Sequence, residues 1–187
     1  MKICVVGAGA IGGMMAVRLA RANHDVSVVA RGPHLEAIRA NGLRLLEADQ
    51  QFVADKLVAT NRINDLGPQD LVLLSLKAHQ ISVVVDDLPS LFSNDTVIVT
   101  LQNGIPWWYF QKFKGDYSNR VVETVDPGGI LFRGIDPDRI VGCIAYPAAV
   151  VSEPGVIKHI EGNRFPVGEL DGSLSDRVSR VSEIFSG

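Results

Sequence analysis

Apolar residues along this chain fall into short runs set apart by glycine, proline and charge, and the runs carry two different periods. Lys2-Ile3-Cys4-Val5-Val6 is short, β-branched and nearly continuous, the pattern of a strand covered on both faces as in a parallel sheet. After Gly7-Ala8-Gly9-Ala10-Ile11-Gly12 the spacing becomes helical. Ile11, Met15, Leu19 and Ala22 share one face while Arg18 and Arg21 point away, so a helix is predicted to about Ala22. Asn23-His24 closes it, and Val26 to Ala30 predicts a second buried strand ending at Arg31. This is a βαβ unit. Pro33 to Ala40 then predicts a short helix, with proline near its start and Gly42 just past its end.

Leu43 to Leu46 and Phe52 to Thr60 are read as short antiparallel strands across a polar turn at Asp49-Gln50-Gln51. Gly67-Pro68-Gln69 is a turn, and Asp70 to Leu76 is another continuous apolar strand. A helix is predicted from about His79 to Leu91, with Ile81, Val84, Val85 and Leu88 on one face, and a buried strand over Thr96 to Leu101 comes next. Strands alternating with helices imply a parallel sheet with helices on both faces. Beyond Gly104 the texture changes. An aromatic stretch, Pro106 to Phe113, precedes short runs at Arg120 to Val125, Ile130 to Phe132, Ile140 to Tyr146, Val156 to Ile160 and Arg164 to Val167. They read as strands completing the sheet, partly antiparallel, with Asp126-Pro127-Gly128-Gly129 as a turn. Ser173-Leu174-Ser175-Asp176 resembles a helix N-terminus, and Val178, Val181 and Phe185 would share one face of that helix. No partner for it is evident in the sequence.

The fold class these elements predict is α/β: a Rossmann-type, doubly wound, mostly parallel sheet with antiparallel strands added in the C-terminal part. The chain has 187 residues, with Lys+Arg 18 against Asp+Glu 21 and 47% hydrophobic residues. That balance is globular and argues against disorder. No block of like charge marks a nucleic-acid or anionic-membrane surface. Cys4 and Cys143 are far apart, which excludes a disulfide framework and suits a reducing cytosol. Glycines interrupt the apolar N-terminus before a signal-peptide core forms, and no apolar run approaches the roughly 20 residues of a membrane span. A cytoplasmic protein is expected.

The glycine run is the strongest chemical signal. Gly7 permits a tight turn off the strand, Gly9 lets backbone approach a pyrophosphate, and Gly12 lets the helix pack closely on the strand. The helix N-terminus then offers free N–H groups and a positive dipole end to phosphates. Arg31 takes the place where NAD- and FAD-binding versions carry Asp or Glu. A guanidinium there grips a 2′-phosphate that a carboxylate would repel, so NADP(H) is the expected cofactor. Lys77 and Asn103 come after two further parallel strands, and ligands bind at the carboxyl ends of such strands. Gly7, Arg31, Lys77 and Asn103 should therefore converge on one edge of the sheet. His24, His34, His79 and His159 have no metal spacing, so no metal is expected. Asp136-Pro137-Asp138 reads as a turn, and Trp107-Trp108-Tyr109-Phe110 as core packing or a domain interface.

Taken together, these motifs resemble the N-terminal nucleotide-binding domain of the ketopantoate reductase family. The matching pieces are Gly7 to Gly13, Arg31, Leu76-Lys77-Ala78-His79-Gln80, Gln102-Asn103-Gly104, Val141-Gly142-Cys143, Pro154 to His159 and Gly168 to Gly172. The resemblance implies NADPH-dependent reduction of a 2-keto acid, ketopantoate to pantoate, on the route to coenzyme A. It places Gly7, Ala8, Gly9, Ala10, Ile11 and Gly12 at the pyrophosphate and Arg31 at the 2′-phosphate. Lys77 lines the cofactor site, Asn103 lies between nicotinamide and substrate, and a backbone contact falls near Ala148. It also implies an NADP-binding domain over residues 1–170 and, over 171–187, the start of a linker helix to a helical C-terminal domain. That domain carries the family's general-acid lysine and substrate-binding groups. The chain is thus expected to bind NADP(H) and to need that domain, or a second chain, for turnover, and a homo-oligomer is open. The competing readings are a stand-alone NADP(H)-binding sensor and a reductase of another 2-keto acid.

Overall fold

The structure, a computed structural model, describes residues 1–186. Two sheets organise it. The larger has seven strands in the order β11-β8-β7-β6-β1-β2-β5. These are β1 (Lys2–Val6), β2 (Asp25–Val29), β5 (Val58–Thr60), β6 (Gln69–Leu74), β7 (Phe92–Thr100), β8 (Ile140–Cys143) and β11 (Val167–Glu169). All neighbours pair in parallel except β11, which runs antiparallel to β8. The smaller sheet has the order β4-β3-β10-β9, from β3 (Leu43–Glu47), β4 (Gln50–Ala54), β9 (Ala148–Glu153) and β10 (Val156–Glu161). This is the Rossmann-type α/β architecture that the alternating runs predict.

The continuous apolar strands are explained by where successive side chains go. Ile3 and Val5 enter one core and Cys4 and Val6 the other; Leu71 and Leu73 divide from Val72 and Leu74 in the same way. A strand alternates faces, so a run buried throughout requires cover on both. On the first face lies α1 (Ala10–Arg21), with α2 (Gly32–Asn41) and α5 (Asp176–Ser186) joining the same core. On the second lie the short α3 (Ala78–Ile81) and α4 (Ile130–Gly134) with the buried Trp107. Trp107 is thus a core residue.

Helix α1 is apolar on more than one side: Gly12 to Val17 and Leu19 are all buried. Such a helix needs a second cover. The small sheet supplies it, laying Leu43, Leu45 and Ile157 over the outer face of α1. This corrects the expectation that Val156 to Ile160 completes the main sheet, because β10 instead pairs in parallel with β3. The β3/β4 hairpin forms as predicted, with its turn at Ala48-Asp49 rather than Asp49-Gln50-Gln51. Residues 58–60 leave it to become a parallel edge strand beside β2. Arg18 pairs with Glu47 of β3, and the Arg21 guanidinium lies 3.5 Å from the centre of the Phe52 ring of β4.

Four other expectations are corrected. The helix predicted over His79 to Leu91 is α-helical only in α3; turns and a 3₁₀ segment at Leu88–Leu91 take up the rest. The β-branched run Val83-Val84-Val85, aspartates near the would-be C-terminus and Pro89 all oppose a longer helix. The apolar stripe survives, since Ile81, Val85 and Leu88 are still buried. Arg120 to Val125 forms turns, and Ile130 to Phe132 belongs to α4. Asp126, buried, holds that helix start by accepting from the N–H groups of Leu131 and Phe132, at 3.0 and 2.8 Å. The last helix does have a partner: Val178 and Val181 are buried in the α1 core, and Phe185 meets Phe165 edge-on. The Ser175 hydroxyl caps α5 by accepting from the Val178 N–H at 3.2 Å, and Arg177 pairs with Glu169 of β11 at 2.5 Å. Gly187, the last residue of the predicted linker helix, lies outside the described residues.

Two measurements check this packing. A Cβ at Gly12 would lie 2.1 Å from the Gly7 carbonyl oxygen, whereas one at Gly13 would meet the movable Ile157 side chain at 2.8 Å and the Ala8 carbonyl oxygen no closer than 3.2 Å. Urea denaturation should therefore find Gly12→Ala destabilising by about 2 kcal/mol or more and Gly13→Ala by less, although alanine is the better helix former at both. The second concerns pH. The Arg177 guanidinium, with help from the Ser175 hydroxyl, holds the Glu169 carboxyl below its usual range against a smaller opposing effect of burial. A carboxyl depressed in the folded state stabilises at neutral pH, and that stability is lost as pH falls through the lowered value. Arg177→Ala should cost about 2 kcal/mol at pH 7 and flatten the acid limb of a stability-versus-pH curve below about pH 4.

Candidate nucleotide-binding site

Because six strands of the large sheet run in parallel, their carboxyl ends share one edge. The ladder continues into each loop there. The N–H groups of Gly7 and Ala8 both donate to the Val29 carbonyl at 3.1 Å, Ser75 donates to Val6 and Leu101 to Leu74. The loops are thus held in register with one another before any side chain takes part.

The glycines divide into two kinds. Gly7 has φ +104°, in the region that favours glycine, and Gly12 lies against the Gly7 carbonyl. Gly9 is exposed, has φ −70°, and a Cβ there would meet nothing within 4 Å. Neither the backbone conformation nor the packing of this chain requires glycine at position 9. Helix α1 starts directly after it, with no side-chain cap and no acidic residue in its first turn. Its first N–H groups are therefore available to an anion.

Two cavities meet at this turn, and Gly7, Gly9, Leu76 and Gln80 line both. The first, of about 930 Å³, is bounded by Ala8, Arg31, His34, Asn61, Ile63, Val83 and the hairpin residues Val151 to Pro154. The second, of about 730 Å³, is bounded by Ala10, Ile11, Lys77, Asn103 and Ala148. The residues singled out in the sequence thus line one groove, except Gly12, which is buried beneath it. Arg31 is the N-cap residue of α2 and exposed, and Ala30 and Gly32, its neighbours, bring no carboxylate. The carboxylates on the first cavity are Asp87 and Glu153. Lys77 is exposed at the start of α3, where its peptide N–H donates to Gln80 Oε1 at 3.2 Å. Its ammonium makes no ion pair among the described residues.

Asn103 does more than face the groove. Its Nδ2 donates to the Ala145 carbonyl at 2.9 Å and its Oδ1 accepts from the Ala145 N–H at 3.1 Å. One amide hydrogen and one lone pair stay available for other contacts. The neighbouring Gln102 donates from Nε2 to the Leu76 carbonyl at 3.2 Å, tying two strand ends together. Cys143, at the end of β8, is no nucleophile, because burial pushes its thiol up to about 12. The same holds for Cys4. Among the described residues no group of three or more His, Cys, Asp or Glu could hold a metal, and no helix is long and apolar enough to cross a membrane.

The sequence reading missed His34, Asn61 and the 151–154 hairpin as parts of the groove. Asn61 comes just after β5, whose place in the parallel sheet has no local signal. The His34 ring makes its hydrogen bonds to backbone, the Ala8 carbonyl at 2.7 Å and the Gly155 N–H at 3.0 Å, and backbone partners leave no mark in a motif.

A parallel sheet with a glycine turn, an uncapped helix start and a two-part groove along its strand ends defines a Rossmann-type α/β domain. The chain belongs to the ketopantoate reductase PanE/ApbA family, whose profile matches residues 3–172. A 2-dehydropantoate 2-reductase of Mesorhizobium japonicum is 47% identical over 184 residues, which are 98% of this chain and 56% of that protein. A crystal structure assigned as a ketopantoate reductase of Ralstonia solanacearum superposes with a TM-score of 0.93 at 34% identity, covering 98% of this chain and 57% of that one. The chain spans about half the length of the curated relatives it matches. D-mandelate dehydrogenase bound to NADH shares the fold at a TM-score of 0.78 and 20% identity.

Proposed function

We propose that this chain is the nucleotide-binding part of an NADPH-dependent 2-keto-acid reductase of the cytoplasm, with ketopantoate the substrate. The observation that carries the nucleotide reading is Gly9, a glycine that the fold does not need, beside an uncapped helix start in a groove long enough for two cavities. A backbone without a side chain at that point lets a pyrophosphate come close.

The residues present fit NADP(H). Gly7, Ala8, Gly9, Ala10 and Ile11 form the floor where the cavities join, with Gly12 under them. Arg31 supplies a fixed fork of donors for a 2′-phosphate. Lys77, the free half of the Asn103 amide and Ala148 all line the second cavity. When bound there, NADPH supplies the hydride. Reduction of a ketone also needs a proton for the developing alkoxide. Lys77 lines the cofactor side in this reading and is not the acid. The acid and the substrate-binding groups belong to a helical domain reached through α5, from the rest of this protein or from a second chain.

A second reading rests on a specific observation: Asp87 and Glu153 share the first cavity with Arg31, and a carboxylate there suits the ribose hydroxyls of NADH. Titration with the two reduced cofactors separates them. NADPH should bind more tightly than NADH, and Arg31→Ala should weaken NADPH by ten- to a hundredfold, about 1.5–3 kcal/mol, while NADH changes little. Equal affinities, or no loss in the variant, favour the second reading. The 187 residues alone should oxidise NADPH with ketopantoate slowly or not at all.

A further inference from the structure

We propose that His34 is a positioning residue of the nucleotide groove: its neutral ring, with the proton on Nε2, holds the glycine turn in the orientation that receives a pyrophosphate. The inference rests on the NADP(H) reading above and assigns it a residue that no motif contains. Nε2 of His34 lies 2.7 Å from the Ala8 carbonyl oxygen, and the Gly155 N–H donates to Nδ1 at 3.0 Å. A carbonyl only accepts and a backbone amide only donates, so Nε2 must carry the proton and Nδ1 must be bare. Both ring nitrogens are engaged, and a single tautomer satisfies both.

The two contacts join two segments that line the first cavity. Ala8 belongs to the glycine turn, and Gly155 comes directly after the hairpin residues Val151 to Pro154, which line the same cavity. Gly155 has φ +76°, and a Cβ there would come within 3.0 Å of Ala37, so the hairpin tip sits tightly on α2, the helix carrying His34. Peptide geometry links these contacts to binding. The Ala8 carbonyl and the Gly9 N–H belong to one trans peptide and point in opposite directions. Tethering the oxygen to His34 sets the Gly9 N–H on the other side of that peptide, at an exposed residue without a side chain. Among the described residues this N–H has no backbone partner. A turn free to rotate would lose that orientation, and with it part of the affinity for an anion.

Calorimetric titration with NADP⁺ and with 2′-AMP, which lacks the pyrophosphate, tests the assignment on the wild-type chain, His34→Ala and His34→Gln. His34→Ala should weaken NADP⁺ about tenfold, the loss of one ordinary hydrogen bond, and leave 2′-AMP unchanged. His34→Gln, whose carboxamide offers one donor and one acceptor, should restore most of the NADP⁺ affinity. A merely structural histidine would lower thermal stability in the alanine variant without this selective loss. Unchanged NADP⁺ affinity, or equal weakening of both ligands, overturns the proposal. Failure of the wild-type chain to bind either ligand overturns the NADP(H) reading, and the proposal with it. Nitrogen-15 NMR of the wild-type ring gives a check that needs no variant: a bare Nδ1 and a protonated Nε2 are expected, and the opposite tautomer overturns the assignment.

Discussion

The tightest constraint in this protein is the contact between Gly12 of α1 and the carbonyl of Gly7 at the end of β1. No side chain fits between them, since a Cβ would stand 2.1 Å from the oxygen. Hydrogen alone at that position lets the helix start against the strand turn and brings its unpaired N–H groups to the edge where the parallel strands end. The next glycine, about 100° further round the helix, lies under Ile157 of the small sheet. Helix α1 is therefore held between two sheets, and the groove is built on its first turn.

The rest of the edge is made of backbone. Each loop leaves its strand with one more ladder bond: Gly7 and Ala8 to Val29, Ala30 to Thr60, Ser75 to Val6, Leu101 to Leu74. The side chains of Gln102 and Asn103 extend that stitching to Leu76 and Ala145. Half of the Asn103 amide thus maintains the site and half faces it. Arg31 and Lys77 differ in kind, since both are exposed and neither is needed to hold the loops together.

What was legible in the sequence is local and periodic. The runs Ile3 to Val6, Val26 to Val29, Leu71 to Leu74 and Thr96 to Thr100 declare buried parallel strands, and the glycine run between the first two declares the turn and helix. Elements whose form depends on distant partners were not legible. The stretch 79–91 has a helical stripe, but its valines, aspartates and Pro89 break the helix while leaving the stripe buried. Ile130 to Phe132 reads as a strand, yet it is helical because the Asp126 carboxylate satisfies two N–H groups at its start. Residues 156–160 read correctly as a strand, but nothing local reveals which sheet a strand joins.

The sequence by itself determined the class of fold, the principal buried strands along the chain and the places of the glycine turn, Arg31, Lys77 and Asn103 after those strands, because period and turn chemistry are properties of neighbouring residues. Only the tertiary structure decided that a second sheet covers α1, that β5 joins the main sheet and that His34 joins the Ala8 carbonyl to the Gly155 N–H. Those outcomes depend on backbone groups that every residue carries alike, and on surfaces that exist only once the chain has closed on itself.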